Sequence, residues 1–136
     1  MSLNYYFEET DSFLIEDKTE LWIENTIRSE NKKAGDISFI FCSDDYLLEV
    51  NKEYLNHDYY TDVITFDYVE ENIISGDIFI SIDRIKENAD EFKVSFSDEL
   101  NRIMIHGVLH LLGYKDKTAD EKQLMTTKED KYLSMR

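Results

Sequence analysis

The stretch from Ser95 to Gly113 constrains the fold of this chain more than any other. Leu100, Ile103, Met104, Val108, Leu111 and Leu112 recur there at helical spacing. Ser95 or Ser97 can open the helix, and Gly113 can stop it in a left-handed cap. A helix this apolar needs other elements to cover it, and the flanking sequence supplies them. Ile37–Cys42, Asp62–Tyr68 and Gly76–Ile82 are short runs that read as strands, and Asn4–Glu8 alternates weakly as a first strand. Further helices are expected over three stretches. The first runs from Phe13 to about Lys33, with Leu14, Leu21, Ile23 and Ile27 near helical spacing. The second runs from Ser43 or Asp44 to about Asn56, packing through Leu47, Leu48 and Tyr54, and the third spans Asp83–Phe92. Thr118 followed by Glu121 has the form of a capping box that starts a last helix toward Leu133. Helices interspersed with three or four short strands indicate an α/β (α+β) class, one sheet covered by helices.

Proline is absent, glycine occurs four times, and no repeat or linker interrupts the pattern, so residues 1–136 are expected to form a single domain. With 42% hydrophobic residues the composition is globular. The net charge of -15 argues against casual attraction to nucleic acid or anionic membrane. That charge is concentrated before residue 81, where 19 acidic groups face 5 basic ones; beyond it, 11 face 10. A polyanion would therefore prefer the C-terminal part. No secretory leader pattern and no membrane-length apolar run is visible, and a lone cysteine, Cys42, can make no internal disulfide. A cytoplasmic protein without membrane contact is expected.

Two of the three histidines, His106 and His110, lie four residues apart on that apolar helix. They project from one face with Cβ atoms about 6 Å apart. A zinc ion with Zn–N near ~2.0 Å sets two ligand nitrogens roughly 3.3 Å apart at a tetrahedral angle, which such a pair can reach. Gly113 lets the chain double back, and Asp116 then brings a carboxylate to the same place. Taken singly, the histidines read as satisfied core residues, Gly113 as a cap and Asp116 as a surface acid. Their combination points to a metal held by His106, His110 and Asp116. Three protein ligands leave a position open for water, the arrangement of a catalytic rather than a structural site. Metzincin peptidases deliver their third ligand by a similar glycine turn, but they require Glu directly after the first histidine as general base. Gly107 stands there, so peptide hydrolysis is not expected. His57 reads as a surface residue, Cys42, Met104 and Met125 as packing.

HGVLHLLGY (His106–Tyr114) resembles the signature of the YbeY family of bacterial rRNA maturation endoribonucleases. TDVITF (Thr61–Phe66) and SGDIFIS (Ser75–Ser81) are similar to two further strands of that family, in matching order and spacing over about residues 40–135. The resemblance implies a mixed sheet backing the metal helix near residues 97–113. It also implies metal-dependent, single-strand-directed RNA cleavage in ribosomal RNA maturation and ribosome quality control. The implied cofactor is zinc, one ion per chain. The implied partners are ribosomal RNA and the small ribosomal subunit or its proteins. The reacting group would be a water on the ion, with no side chain assigned as general acid or base. Lys115, Lys117 and Arg102 flank the ligands and are expected to steer phosphate. Three positions depart from the family pattern: Asp116 replaces its usual histidine, Leu55 its usual arginine, and Tyr60 its usual proline. Leu55 and the net charge favour an alternative, a non-cleaving ribosome-assembly factor whose metal is mainly structural.

Overall fold

Side-chain alternation along the strands sorts apolar residues onto two faces of one sheet, and the helices follow. The computed structural model describes residues 2–136. The elements in chain order are β1 (Ser2–Glu8), α1 (Lys18–Ser29), β2 (Lys33–Cys42), α2 (Asp44–Leu55), β3 (Val63–Asp67), β4 (Ile73–Ser81), α3 (Ile82–Phe92), α4 (Phe96–Leu111) and α5 (Ala119–Leu133). The sheet order is β1-β2-β4-β3. β1 and β4 both run parallel to β2, and β3 pairs antiparallel to β4, so this is an α+β fold on a mixed four-stranded sheet.

On one face Ile37, Phe39 and Phe41 of β2 join Ile74, Ile78 and Ile80 of β4 in the main core. Trp22, Ile23 and Ile27 of α1 and Met104, Val108 and Leu111 of α4 close over them, while α3 and α5 pack beside α4. The opposite face sends Cys42, Ile64, Phe66 and Phe79 toward Leu47 and Val50 of α2. Ser43, Ser81 and Ser95 cap α2, α3 and α4 by accepting from the backbone N–H three residues on. Thr118 and Glu121 form the expected capping box of α5.

Three expectations need correction. α1 begins at Lys18, not Phe13, because Phe13 is drawn into an aromatic group with Phe7, Phe41 and Phe96. Leu14, 96% exposed, consequently lies outside the core, and Leu21 falls on the solvent side of α1, opposite the buried Trp22, Ile23 and Ile27. Tyr54 does not pack inside α2: it is exposed, touching Phe66 edge-on, and Val50 and Asn51 take the buried side of that helix. β4 starts at Ile73, three residues before Gly76, because the Glu70–Ile73 bridge closes a tight turn from β3.

The approach of α4 to the sheet is close at one point. A Cβ at Gly107 would lie 2.7 Å from Cγ2 of Ile78, nearer than real Cβ contacts come. Gly107→Ala is therefore expected to overpack this seam and destabilise the fold by about 1–3 kcal/mol. Urea denaturation of the two proteins measures the difference.

Candidate metal centre

α4 ends in a hydrogen-bonded reversal that decides where the third acid lies. Gly113 takes a φ of +104°, its N–H donates to the His110 carbonyl at 3.0 Å, and the Tyr114 N–H donates to the Leu109 carbonyl at 3.0 Å. This pair of bonds is the Schellman pattern, and the left-handed φ suits glycine. The chain then returns along the helix and brings Asp116 beside the histidines.

The three donor atoms form a nearly equilateral triangle. His106 Nε2 and His110 Nε2 are 3.0 Å apart, and Asp116 Oδ2 lies 3.3 Å from the first and 3.4 Å from the second. Ligands of a tetrahedral zinc ion sit roughly 3.3 Å apart, so the triangle has the size of one face of such a site. The histidine side chains are 15% and 23% exposed and that of Asp116 40%, so the group opens to solvent on the acid's side.

Neighbouring groups orient each imidazole. His106 Nδ1 lies 2.6 Å from Glu129 Oε2, and His110 Nδ1 lies 3.0 Å from the Tyr114 carbonyl oxygen. Both partners are acceptors, so each Nδ1 carries the proton and donates it, and each Nε2 presents its lone pair to the shared point. Two ring nitrogens and a carboxylate oxygen converging there form a group of the kind that could hold a metal ion. Burial pulls the His106 pKa down, but the Glu129 hydrogen bond and the charges of Glu129, Asp116 and Asp62 outweigh it and hold the pKa above its ordinary value. Burial, followed by the charge of His106, pushes His110 below its own.

Glu129 is buried on α5 and also accepts from Arg102 Nη1 at 2.8 Å; Arg102 Nη2 donates to Asp130 at 2.7 Å. Arg102 is thus committed to the acids of α5 and is not available to steer phosphate, contrary to expectation. Lys115 and Lys117 are exposed beside Asp116. His57 stacks on Tyr59 in the loop after α2, outside the triangle, and Cys42 is buried under α2. Neither Glu129 nor the Tyr114 carbonyl was read from the sequence. A signal for Glu129 does exist: Met125, Glu129 and Tyr132 fall on one helical stripe, and all three are buried.

The YbeY family model, described as Endoribonuclease YbeY, matches residues 4–136. The chain belongs to the YbeY family. Relatives named Endoribonuclease YbeY include one from Flavobacterium psychrophilum, 53% identical over 137 residues, with 99% of this chain and 95% of the relative covered. Another, from Bacteroides thetaiotaomicron, is 51% identical over 119 residues, covering 88% of this chain and 87% of the relative. The solution structure of a Thermotoga maritima protein is similar with a TM-score of 0.60 at 29% identity, covering 95% of this chain and 86% of that one.

Two outcomes follow from the carboxylates around the centre, the buried Glu129 and the part-buried Glu30. If the triangle holds a divalent ion, Glu129→Ala, which removes the acceptor of His106, is expected to weaken its binding about 10–100-fold, as loss of a ligand's hydrogen-bond partner does; chelator competition with added zinc measures it. Glu30, at the end of α1, accepts from the Tyr114 and Tyr132 hydroxyls and from Lys128. Burial alone would raise its pKa, but these three bonds hold it below the ordinary value of 4.5. A depressed carboxyl contributes stability that is present above its unfolded pKa and lost as pH falls through the folded one. The stability gap between wild type and Glu30→Gln is therefore expected to be full at neutral pH and to shrink below about pH 4.5. Denaturation at a series of pH values tests this.

Proposed function

We propose that this protein is a zinc-dependent endoribonuclease that cuts single-stranded RNA during ribosomal RNA maturation and ribosome quality control in the cytoplasm. The observation that carries the reading is the triangle of His106 Nε2, His110 Nε2 and Asp116 Oδ2 with edges of 3.0–3.4 Å, each imidazole already turned with its lone pair inward. The relatives named Endoribonuclease YbeY support the choice of RNA as substrate. No helix among the described residues is long and apolar enough to cross a membrane.

Zinc bound here would supply Lewis-acid polarisation of a phosphate oxygen and lower the pKa of water toward about 7. The protein's own part is to hold and to orient. His106 and His110 offer neutral nitrogens because Glu129 and the Tyr114 carbonyl retain their Nδ1 protons. Asp116 offsets one charge of the ion, and its exposure leaves the side from which a strand can approach. Lys115 and Lys117 place positive charge beside that opening in an otherwise acidic protein. Gly107 presses on Ile78, so position 107 can contribute no acid to the centre, which removes the group that peptide hydrolysis would need.

A second reading, a ribosome-assembly factor that binds without cutting, is favoured by Leu55. This leucine closes α2 and is 37% exposed, and it offers no donor to a phosphate at the position where the family resemblance implies an arginine.

One experiment separates the two. Wild type, His106→Ala and Leu55→Arg, purified identically, are analysed for metal and assayed on a single-stranded oligoribonucleotide. The enzyme reading expects close to one zinc per wild-type chain, none retained by His106→Ala, and slow cleavage that needs the ion. Leu55→Arg should then be faster, up to about 10²–10³-fold if the restored donor acts in the transition state. Cleavage surviving in His106→Ala would reveal a contaminant. Metal bound with no cleavage by wild type or Leu55→Arg would favour the assembly factor.

A further inference from the structure

Each histidine of the centre leans on a carboxylate from another helix, His106 directly on the buried Glu129 and His110 at one remove on the part-buried Glu30. We propose that Glu30 is a positioning residue of the metal site, fixing Tyr114 so that the Tyr114 carbonyl orients His110 and the following loop delivers Asp116. The proposal rests on the metal reading above and deepens it.

Glu30 caps the C-terminus of α1, its N–H donating to the Ile27 carbonyl at 3.1 Å, and its side chain is 13% exposed. One carboxylate collects three donors: the hydroxyls of Tyr114 and Tyr132, and Lys128 Nζ at 3.2 Å. The Lys128 ammonium also lies 5.4 Å from the centre of the Tyr114 ring. Tyr114 is held by all of its polar groups. Its N–H is bonded to Leu109, its carbonyl to His110 Nδ1 and its hydroxyl to Glu30.

Tyr114 and Lys115 span the gap between Gly113 and Asp116, and among the described residues the Tyr114 phenol is the only side chain of that pair with a hydrogen bond. Release of the phenol frees the peptide to rotate, and the acceptor of His110 moves with it. Joining α1 to α5 does not by itself call for a part-buried charge, since apolar contact would serve with less cost of desolvation. A charge that accepts three hydrogen bonds fixes direction as well as distance.

The test measures zinc affinity by competition with a chromophoric chelator at a temperature where every protein is folded, with denaturation curves in parallel. The proteins are wild type, Glu30→Gln, Tyr114→Phe, their double variant and Ile27→Val, which trims the core on the same helix. Glu30→Gln and Tyr114→Phe should each weaken zinc binding about tenfold, and the double variant no more than the weaker single, because both break one chain of contacts. Ile27→Val should lose stability yet bind zinc as wild type does. Wild-type affinity in Glu30→Gln, or losses that multiply in the double variant, would overturn the proposal while leaving the metal reading intact. If Glu30→Gln does not fold, wild-type affinity in Tyr114→Phe overturns it equally. A wild-type protein that takes up no zinc would overturn the metal reading itself.

Discussion

The contact of α4 with β4 at Gly107 and Ile78 fixes the rest of the centre. With no side chain at position 107, the helix backbone settles against the sheet to within the reach of one methyl group. A helix seated so closely has no room for a side chain at this point. The residue that touches the sheet is the immediate neighbour of the first histidine. The direction of His106, and of His110 one turn further on, is therefore set by packing before any polar contact forms. Protein interiors transmit such constraints because they are close-packed and deform little.

Polar contacts then refine what packing has placed. The chain carries an excess of acid, yet its two carboxylates nearest the histidine supports are each matched by a cation: Glu129 by Arg102 and Glu30 by Lys128. Both pairs lie at the joints where α5 meets α4 and α1. α5 thereby acts as a splint along the outer side of the metal helix, and it is itself held at Tyr132, whose carbonyl accepts from Trp22 Nε1 at 2.7 Å. The charge balance is local. Apart from Asp116 in the triangle and Asp62, whose charge reaches His106, the remaining acids are mostly exposed.

How much of this was legible depended on sequence separation. The histidine pair, the Gly113 turn, the serine caps and the Thr118–Glu121 box are all encoded within a few residues, where helical spacing and cap chemistry apply directly. The sheet was legible as strands, because alternation reports burial, and the resemblance supplied its mixed character. What escaped involves partners far apart in the chain. Phe13 looked helical until its ring met Phe41 and Phe96, which left Leu14 outside α1, while Leu21 lies on the exposed side of that helix. Arg102 looked free until α5 folded back over it. Glu30 stands more than eighty residues from Tyr114, and no local periodicity records that pairing.

All three donor residues lie in one contiguous segment, His106 to Asp116, whereas the groups that orient them come from α1 and α5. An ion closing so short a stretch of chain removes little loop entropy from the unfolded state, because that saving grows with loop length. The same peptide segment retains its donors when the fold is lost, so an unfolded chain can still compete for zinc, and binding to both states weakens the stabilisation an ion gives. In a protein arranged this way the fold supports the metal more than the metal supports the fold. On that arithmetic an ion held by His106, His110 and Asp116 would be gained or surrendered with the sheet and its helices left standing.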